Sequence, residues 1–386
     1  MKAQGETARR RMRGGLDNAV KQAEDRGLYD MLVVDADCHQ REAYSQFVDY
    51  VKPEYRSALR AKDAKRITPK YKRIIGKRVM RPEVSYPLPM GPEEIVDTFS
   101  VRLQEIGITR PVVIPDPMLE MATDPRNPDF EVEVGKGYAH YMADTFGHLH
   151  DRFVTVIYAA TTAPDKAAEL IDDLGSEKIF SGVLISTVTL TNPSSDDWNP
   201  IYDAAQRKGL PICVHGDNPG DDGKSRNKSW LPIGFGLETF LENHVLSFPI
   251  TIARQLTSIV LGGVPVRFPR LKFIFMEGGV TYIPWLMQRM DDEYVKRSFE
   301  APLLNKFPSA YMNEFYYTTQ PLESANKFAL KNFLNMFDYE NRLVYASDYP
   351  HWDFDAPSAI YDLPFLSETA KRKILGENAA RAFRLS

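Results

Sequence analysis

Short apolar runs alternate with amphipathic stretches along most of this chain. Eight of these runs predict β-strands, and most of the segments between them have the three-to-four-residue spacing of helices. The predicted strands cover residues 33–39, 111–115, 153–158, 179–186, 211–215, 271–277, 314–318 and 343–348. Strands that alternate with helices in this way are typical of a parallel barrel, whose crossover connections are helical.

The predicted helices support the same architecture. They cover residues 93–103, 130–149, 164–174, 199–208, 282–294 and 323–337, with an apolar helix inside 218–263 and short helices over 367–385. A doubly wound open sheet is the competing arrangement, but no glycine-rich phosphate fingerprint follows the first strand. We therefore predict an α/β fold of the distorted (β/α)8, or TIM-barrel, type.

Two segments fall outside the regular alternation. Residues 1–28 form a polar N-terminal arm, interpreted as a helix on the barrel or on a partner subunit, or as a frayed tail. Residues 53–87, after strand one, form a basic insertion, with eleven Lys or Arg against two acids between Glu54 and Arg81. The insertion is either a cap that attracts an anionic substrate or a solvated surface. Residues 29–386 are predicted to form a single barrel domain.

Composition narrows the class of protein. The 386 residues are 43% hydrophobic and 26% charged, which is ordinary for a globular enzyme. A net charge of -4 gives no reason to expect nucleic-acid binding. Cys38 and Cys213 are too few for a disulfide framework, which predicts a cytoplasmic protein. No apolar run approaches the roughly 20 residues of a membrane span, so no membrane association is expected.

Polar residues occupy alternate positions at the end of the first predicted strand. Asp35, Asp37 and His39 would share one face of that strand. Two carboxylates and an imidazole resist burial together unless a positive charge lies between them. A divalent metal supplies that charge, although a hydrogen-bonded aspartate cluster at a loop would explain this stretch alone.

Other predicted strands end in residues of the same kind. His215 ends strand five, Glu277 ends strand six and Asp348 ends strand eight. An isolated buried histidine or aspartate is more often structural, but the carboxyl ends of barrel strands share one rim, where catalytic groups lie. The candidate metal ligands are Asp37, His39, His215, Glu277, Asp348 and, from the segment between strands five and six, His244.

The donor set indicates the chemistry of the site. Carboxylates and imidazoles without a thiolate suit Mn, Fe or Zn, and the carboxylate excess favours Mn or Fe. The set is large enough for one or two ions. Asp348 and His351, which lies three residues further on, are the candidate catalytic residues, and Asp217 is a weaker candidate for support of a ligand. His140, His148 and His150 are assigned to structure or surface.

These motifs resemble the amidohydrolase superfamily, in the branch of the aminocarboxymuconate semialdehyde decarboxylase-like proteins. The resemblance runs from about Leu32 to Phe383. Its landmarks are Asp35-Ala-Asp37-Cys-His39, Cys-Val-His215-Gly, Phe268-Pro-Arg-Leu-Lys-Phe followed by Glu277-Gly-Gly, Ser347-Asp348-Tyr-Pro-His-Trp, and Glu377-Asn-Ala-Ala-Arg. The resemblance implies a metal at the carboxyl-end rim, with Asp37, His39, His215 and Asp348 at ligand positions.

Two residues depart from the family pattern. Asp37 and Glu277 stand where many members have histidine, so the chain is also similar to carboxylate-rich members described as dinuclear iron or manganese–iron proteins. Those members include an oxygenase acting on 2-aminoisobutyrate and a diiron thioesterase. The departures argue against a standard mononuclear zinc site.

Four functional hypotheses follow. The leading one is metal-dependent hydrolysis of an amide, ester or thioester in a small molecule. In it, Asp348 accepts a proton from water and passes it to the leaving group, while His351 or Trp352 positions the substrate. The others are a dinuclear Mn/Fe or Fe/Fe oxygenase component, a non-oxidative decarboxylase, and a structural partner subunit. The arm and the apolar helices predict a homo-oligomer, or a hetero-oligomer with a related subunit.

Overall fold

Eight parallel strands form one continuous sheet in the computed structural model, which describes residues 15–66, 91–122, 127–189, 191–217 and 239–385. The sheet order follows the chain from β1 to β8. The strands are β1 Val34–Gln40, β2 Arg110–Pro115, β3 Val154–Tyr158, β4 Phe180–Ser186, β5 Ile212–His215, β6 Phe273–Met276, β7 Tyr316–Thr318 and β8 Leu343–Val344. The predicted (β/α)8 barrel is confirmed.

The barrel closes between β1 and the segment that follows the short strand β8. Ala36 N donates to Tyr345 O over 2.9 Å, and His39 N donates to Tyr349 O over 2.7 Å. Asp348 N also donates to Asp37 O over 2.8 Å. These bonds replace a regular ladder, so the residues after Val344 complete the wall although they are not a regular strand.

Helices surround the barrel. Their bounds are α1 Gly15–Asp25, α2 Tyr44–Phe47, α3 Pro53–Arg66, α4 Pro92–Asp97, α5 Leu103–Glu105, α6 Asp116–Ala122, α7 Pro128–Phe146, α8 Pro164–Leu174, α9 Asn199–Lys208, α10 Phe240–Leu261, α11 Val264–Arg267, α12 Tyr282–Arg297, α13 Pro308–Met312, α14 Lys327–Leu334, α15 Tyr339–Arg342, α16 Ser358–Tyr361, α17 Glu368–Arg372 and α18 Asn378–Phe383. Wider π turns, Thr98–Arg102 and Lys373–Glu377, link α4 to α5 and α17 to α18.

Apart from half-buried Arg110, every strand residue is buried, as a sheet covered on both faces requires.

Local sequence explains where the longer helices begin and end. Asn127 caps α7 by accepting from Phe130 N, and Pro128 occupies its first turn. Thr239 and Glu242 form a capping box at the start of α10. At the other end of α9, Gly209 has φ 68°, the left-handed conformation that glycine adopts readily.

The two segments outside the alternation are described in part. In the arm, α1 lies on the barrel: Arg26 binds Asp362 through two hydrogen bonds of 2.6 and 2.7 Å, and Ser358 donates to Gln22. Of the basic insertion, residues 53–66 form α3, where Asp63 accepts from Tyr44 N and Ser45 N. Residues 1–14 and 67–87 lie outside the described part.

Helix α10 contains the most apolar long stretch of the described chain. Residues His244–Leu261 reach the length and mean hydropathy of a membrane span, 18 residues at 1.2, but half of the stretch is buried inside the protein. Ile252, Leu256 and Val260 are almost fully buried at helical spacing. This arrangement is that of an outer-ring barrel helix with one face on the core.

Candidate metal centre

The ends of β1, β2, β5, β6 and β8 bring carboxylates and imidazoles together at one rim. We call this set the rim cluster; its members are Asp37, His39, Asp116, His215, Glu277, Asp348 and His351. Among the described residues, three overlapping trios place ligand atoms within 4.8 Å of one another: Asp37, His39 and His215; His39, Asp116 and His351; and His39, Glu277 and Asp348. The structure therefore brings together five of the six predicted ligands.

Two members of the rim cluster have unusual backbones. Glu277 has φ 60° and Asp348 has φ 57°, a region that residues other than glycine rarely adopt. Glu277 N donates to Thr318 Oγ1 over 2.9 Å, and Asp348 N donates to the carbonyl of Asp37. Such a conformation costs on the order of 1–3 kcal/mol per residue and is concentrated at functional sites in proteins. The neighbouring strands thus hold both carboxylates in strained positions.

His39 lies between three carboxylates. Its Nε2 is 2.9 Å from Asp348 Oδ1 and 3.3 Å from Asp37 Oδ1. Its Nδ1 is 2.8 Å from Asp116 Oδ1 on the opposite side of the ring. Burial alone would lower the pKa of His39, but these carboxylates raise it well above its usual value. The three carboxylates therefore favour the protonated, positively charged form of His39.

His215 is oriented as a metal ligand would be. Its Nδ1 lies 2.5 Å from the carbonyl oxygen of Gly216, so Nδ1 carries the proton and donates it there. Nε2 is then left with its lone pair, 3.4 Å from Asp37 Oδ1 and 3.5 Å from Glu277 Oε2. Fixing one imidazole nitrogen on a carbonyl is how proteins set the tautomer of a ligating histidine.

Several polar atoms of the rim cluster have no well-aligned hydrogen-bond partner. Within the described residues, these atoms are both oxygens of Asp37, both ring nitrogens of His39, Oδ2 of Asp348 and Nε2 of His215. All four side chains are at most 1% exposed. Buried polar atoms are nearly always satisfied in folded proteins. Oxygen and nitrogen donors without a thiolate suit a divalent cation, so these residues fit a metal.

The charges of the rim cluster are unbalanced without a cation. Burial raises the pKa of Glu277 well above its usual value, and the charge of Asp348 raises it further. Burial acts in the same direction on Asp37 and Asp348, but neighbouring imidazoles outweigh it and lower the pKa of both. The imidazoles thus do not compensate the four carboxylates fully, and a bound cation would favour the ionised form of Glu277.

His351 joins the rim cluster from the loop after β8. Its Nδ1 is 2.6 Å from Asp348 Oδ1, and its ring centroid lies 4.2 Å from that of His39. The side chain is 14% exposed, whereas His39 and His215 are 1% exposed. His351 is therefore the imidazole of the cluster that a substrate or water can approach.

The structure places His244 and Asp217 elsewhere. His244 Nε2 lies 3.4 Å from Asp353 Oδ2, and its ring packs against Trp352 and Phe248. It belongs to none of the three trios found among the described residues. Asp217 accepts from Ser186 Oγ over 3.2 Å, which ties it to the end of β4.

Asp116 is a member that the sequence analysis missed. It follows Pro115 at the end of β2, so the rule that selected the other strand ends could also have found it. The charge of His39 helps to lower the pKa of Asp116 well below its usual value, against the effect of burial.

Three other buried side chains near the rim are structural. Asp35 accepts from Ser347 N over 2.9 Å, from Ser347 Oγ and from Asp37 N, so both of its oxygens are satisfied. Cys38 and Cys213 are buried and unpaired, and burial raises the pKa of both thiols. Neither thiol is therefore a ready source of a thiolate ligand.

The fold and this rim define a class of protein. A family model described as Amidohydrolase matches residues 113–385, most of the chain. The protein belongs to this amidohydrolase family.

Individual relatives share only a modest fraction of their sequence with this chain. Over 214 residues the chain is 27% identical to the 2-amino-3-carboxymuconate-6-semialdehyde decarboxylase of Dictyostelium discoideum. The match covers 54% of this chain and 53% of the relative, so it spans about half the length of that curated protein.

Solved structures match over more of the chain. The 5-carboxyvanillate decarboxylase of Sphingomonas paucimobilis has a TM-score of 0.65 at 20% identity, covering 92% of this chain and all of that one. The enzyme of the same name from Novosphingobium aromaticivorans, solved with manganese and 4-hydroxy-3-methoxy-5-nitrobenzoic acid, has a TM-score of 0.66 at 19% identity over 92% and 97%. A 2,6-dihydroxybenzoate decarboxylase, solved with 2,6-dihydroxybenzoate, has a TM-score of 0.61 at 17% identity over 92% and 100%. At these sequence identities, the structural similarity establishes the fold of this chain alone.

Proposed function

We propose that this protein is a metal-dependent, non-oxidative decarboxylase of small carboxylic acids. The observation that carries the proposal is the position of Asp348, which contacts His351 Nδ1 at 2.6 Å and His39 Nε2 at 2.9 Å. A carboxylate that already accepts from His351 and lies against a second imidazole, His39, is a weak base towards water. The pair that it forms with His351 is a source of protons. The decarboxylases among the similar proteins support the same class.

The ligand positions follow from the unsatisfied atoms of the rim cluster. Asp37, His215 and Asp348 would hold a divalent cation, with Glu277 and His39 beside them. When bound, such a cation supplies positive charge that anchors a substrate carboxylate and polarises its oxygen atoms. Mn or Fe suits the carboxylate excess, and Zn is also compatible with it.

The remaining chemistry falls to side chains. In the proposed reaction the carbon–carbon bond to the carboxylate breaks, carbon dioxide leaves, and the electron pair stays on the substrate carbon. That carbon then takes one proton, which balances the reaction. His351 is placed to supply it, because it is the most exposed imidazole of the cluster and Asp348 and Asp116 flank its ring. Solvent can then return a proton to His351.

The test is carbon dioxide release without oxygen. Metal-loaded protein is incubated anaerobically with small aromatic and unsaturated carboxylic acids. We expect H351Q to lower the rate by about 10²- to 10⁴-fold, the contribution typical of a positioned proton donor, with metal content unchanged. His148, an exposed histidine of the outer ring, provides the matched control H148Q, which should leave the rate unaltered. Ester or thioester hydrolysis without any carbon dioxide release would overturn the proposal.

Hydrolysis, the leading hypothesis from sequence, is the second candidate. The observation in its favour is the unsatisfied Asp348 Oδ2, which could take a proton from water while Oδ1 stays with the imidazoles. The test above separates the two candidates, since one yields carbon dioxide and the other an acid and an alcohol, thiol or amine.

The dinuclear oxygenase hypothesis gains support from the number of donors at the rim. With Asp116 and His351 added to the five predicted ligands that meet there, the rim cluster holds four carboxylates and three imidazoles. Two ions about 3.5–4 Å apart need such a set. Two metal ions per chain together with oxygen uptake would favour it over decarboxylation. The structural-subunit hypothesis, the oligomeric state and the cytoplasmic location stay predictions.

A further inference from the structure

A second polar group lies beside the rim cluster, at the end of β7. Gln320 is fully buried, two residues after the end of that strand, and its Nε2 donates to Asp353 Oδ2 over 2.9 Å. Within the described residues, Gln320 Oε1 and Asp353 Oδ1 have no hydrogen-bond partner. We call Gln320 and Asp353 the acceptor pair. Gln320 and Asp353 are thus joined by one hydrogen bond, and each side chain keeps one oxygen without a partner.

The loop after β8 fixes the acceptor pair in place. Asp355, two residues beyond Asp353, donates its N–H to Ser347 O and accepts from Leu322 N, both at about 3 Å. Tyr345 also donates its hydroxyl to Asp355 O over 2.7 Å. The pair is therefore held on the barrel wall by the segments that follow β7 and β8, and it is not on a free loop.

The acceptor pair is close to the rim cluster. Gln320 O accepts from Gly279 N, two residues after Glu277. Asp353 follows His351, a member of the rim cluster, by two residues. A molecule anchored at the candidate metal centre could therefore reach the unused oxygens.

An imidazole that packs among aromatic rings lies against the pair. His244 contacts Asp353 Oδ2 through Nε2, and its ring lies 5.4 Å from that of Trp352 and 4.8 Å from that of Phe248. Buried oxygens without partners are rare in folded proteins, and an aromatic wall with a few fixed polar atoms is typical of a ligand subsite.

We propose that Gln320 and Asp353 form a specificity-determining subsite that accepts hydrogen bonds from a hydroxyl or amino group on the substrate. This inference rests on the proposed function in that it places the substrate carboxylate at the candidate metal centre. The substrate class is then a small carboxylic acid, planar or apolar, with a second hydrogen-bond donor away from its carboxylate. The free oxygens of the pair specify a donor at that position, because a group without one would leave them unsatisfied.

Binding, measured apart from turnover, tests the subsite. Calorimetric titration of the metal-loaded protein compares 2-hydroxybenzoate with the four dihydroxybenzoates that carry one further hydroxyl on its ring. The corresponding amino derivatives are titrated in the same way. We expect at least one of these acids to bind at least 10-fold more tightly than 2-hydroxybenzoate. Sites built around a substrate hydroxyl discriminate by much larger factors in favourable cases.

Variants then locate the effect. Q320M, which keeps side-chain length and removes the free oxygen, should erase the preference while affinity for 2-hydroxybenzoate changes less than about 3-fold. D353N provides a second variant if Q320M does not fold, and should reduce the same preference. The matched control is Q288M, at an exposed glutamine of α12, which should keep the preference intact.

The outcomes are distinct from those of the proposed function. Equal affinity for all probes, or a preference that survives Q320M and D353N, overturns the subsite and indicates that water alone occupies it. Failure of every probe to bind at millimolar concentration overturns the assigned substrate class. A preference without carbon dioxide release would keep the subsite and overturn decarboxylation, whereas carbon dioxide release without any preference would do the reverse.

Discussion

Buried carboxylates on two sides of this barrel differ in how their oxygen atoms are satisfied. On the β3 side, Glu131 accepts a hydrogen bond of 2.5 Å from the Tyr158 hydroxyl on one oxygen and a bond from Thr162 Oγ1 on the other. On the β1 side, Asp37 is at least as buried, yet neither of its oxygens has an aligned partner among the described residues. Burial is common to both sides, so it does not identify a binding site.

The contrast also holds within a single strand. Asp35 and Asp37 are two residues apart on β1 and both are fully buried, but Ser347 and the backbone satisfy Asp35. A carboxylate whose oxygens all accept hydrogen bonds from neighbouring residues contributes to structure. A carboxylate whose oxygens have no such partners, beside an imidazole with a free lone pair, is placed to bind a ligand from outside the chain.

The largest effect is expected from His215, whose free Nε2 faces Asp37 and Glu277. H215A removes a ligand while leaving the barrel wall in place, so we expect metal content and activity to fall by at least about 100-fold. Removing even a group that only supports a ligand costs 10- to 100-fold. Elemental analysis and carbon dioxide release measure the two effects. H140A, at a partly exposed outer histidine, is the matched control. Metal bound as tightly as in wild type, with full activity, would refute the assignment of His215.

Sequence pattern identified the barrel and most of the rim because both depend on periodicity. Alternating strands and helices determine which residues end a strand, and strand ends share a rim. Pattern selected Asp37 as a ligand but did not show what satisfies Asp35, since Ser347 lies 312 residues away from it in the chain. It also missed Gln320 and Asp353, because their proximity depends on how the loops after β7 and β8 pack together. The left-handed backbones of Glu277 and Asp348 likewise have no local signature.

A smaller effect is expected on stability when metal is removed. Without a cation, the carboxylates around Asp37 and Glu277 lose their compensation, so unfolding should become easier. A ligand at 100 times its Kd stabilises by about 2.7 kcal/mol, and about 1 kcal/mol is worth roughly 2 °C in a large chain. We therefore expect chelation to lower Tm by about 5 °C, measured by thermal unfolding.

The comparison between the two sides provides the control for chelation. E131Q changes the satisfied carboxylate of the β3 side and should show the same drop on chelation as wild type. D37N changes the unsatisfied one and should show little or none. Equal drops in all three proteins would mean that the bound metal does not involve Asp37.

The smallest expected effect is the contribution of Glu131 to the pH dependence of folding stability. Burial raises the pKa of Glu131, although the hydrogen bonds from Thr162 and Tyr158 oppose it. The folded protein therefore keeps this proton at pH values where the unfolded chain has lost it, and stability falls as pH rises above the ordinary glutamate pKa of about 4.3. E131Q mimics the protonated form: its amide oxygen can accept from one hydroxyl and its amide nitrogen can donate to the other. Its stability should therefore change by less than about 1 kcal/mol at pH 5. Urea unfolding at pH 5 and pH 8 should show wild type losing more stability than E131Q between the two values. Parallel losses would place the pH dependence elsewhere and remove Glu131 as the satisfied counterpart of Asp37.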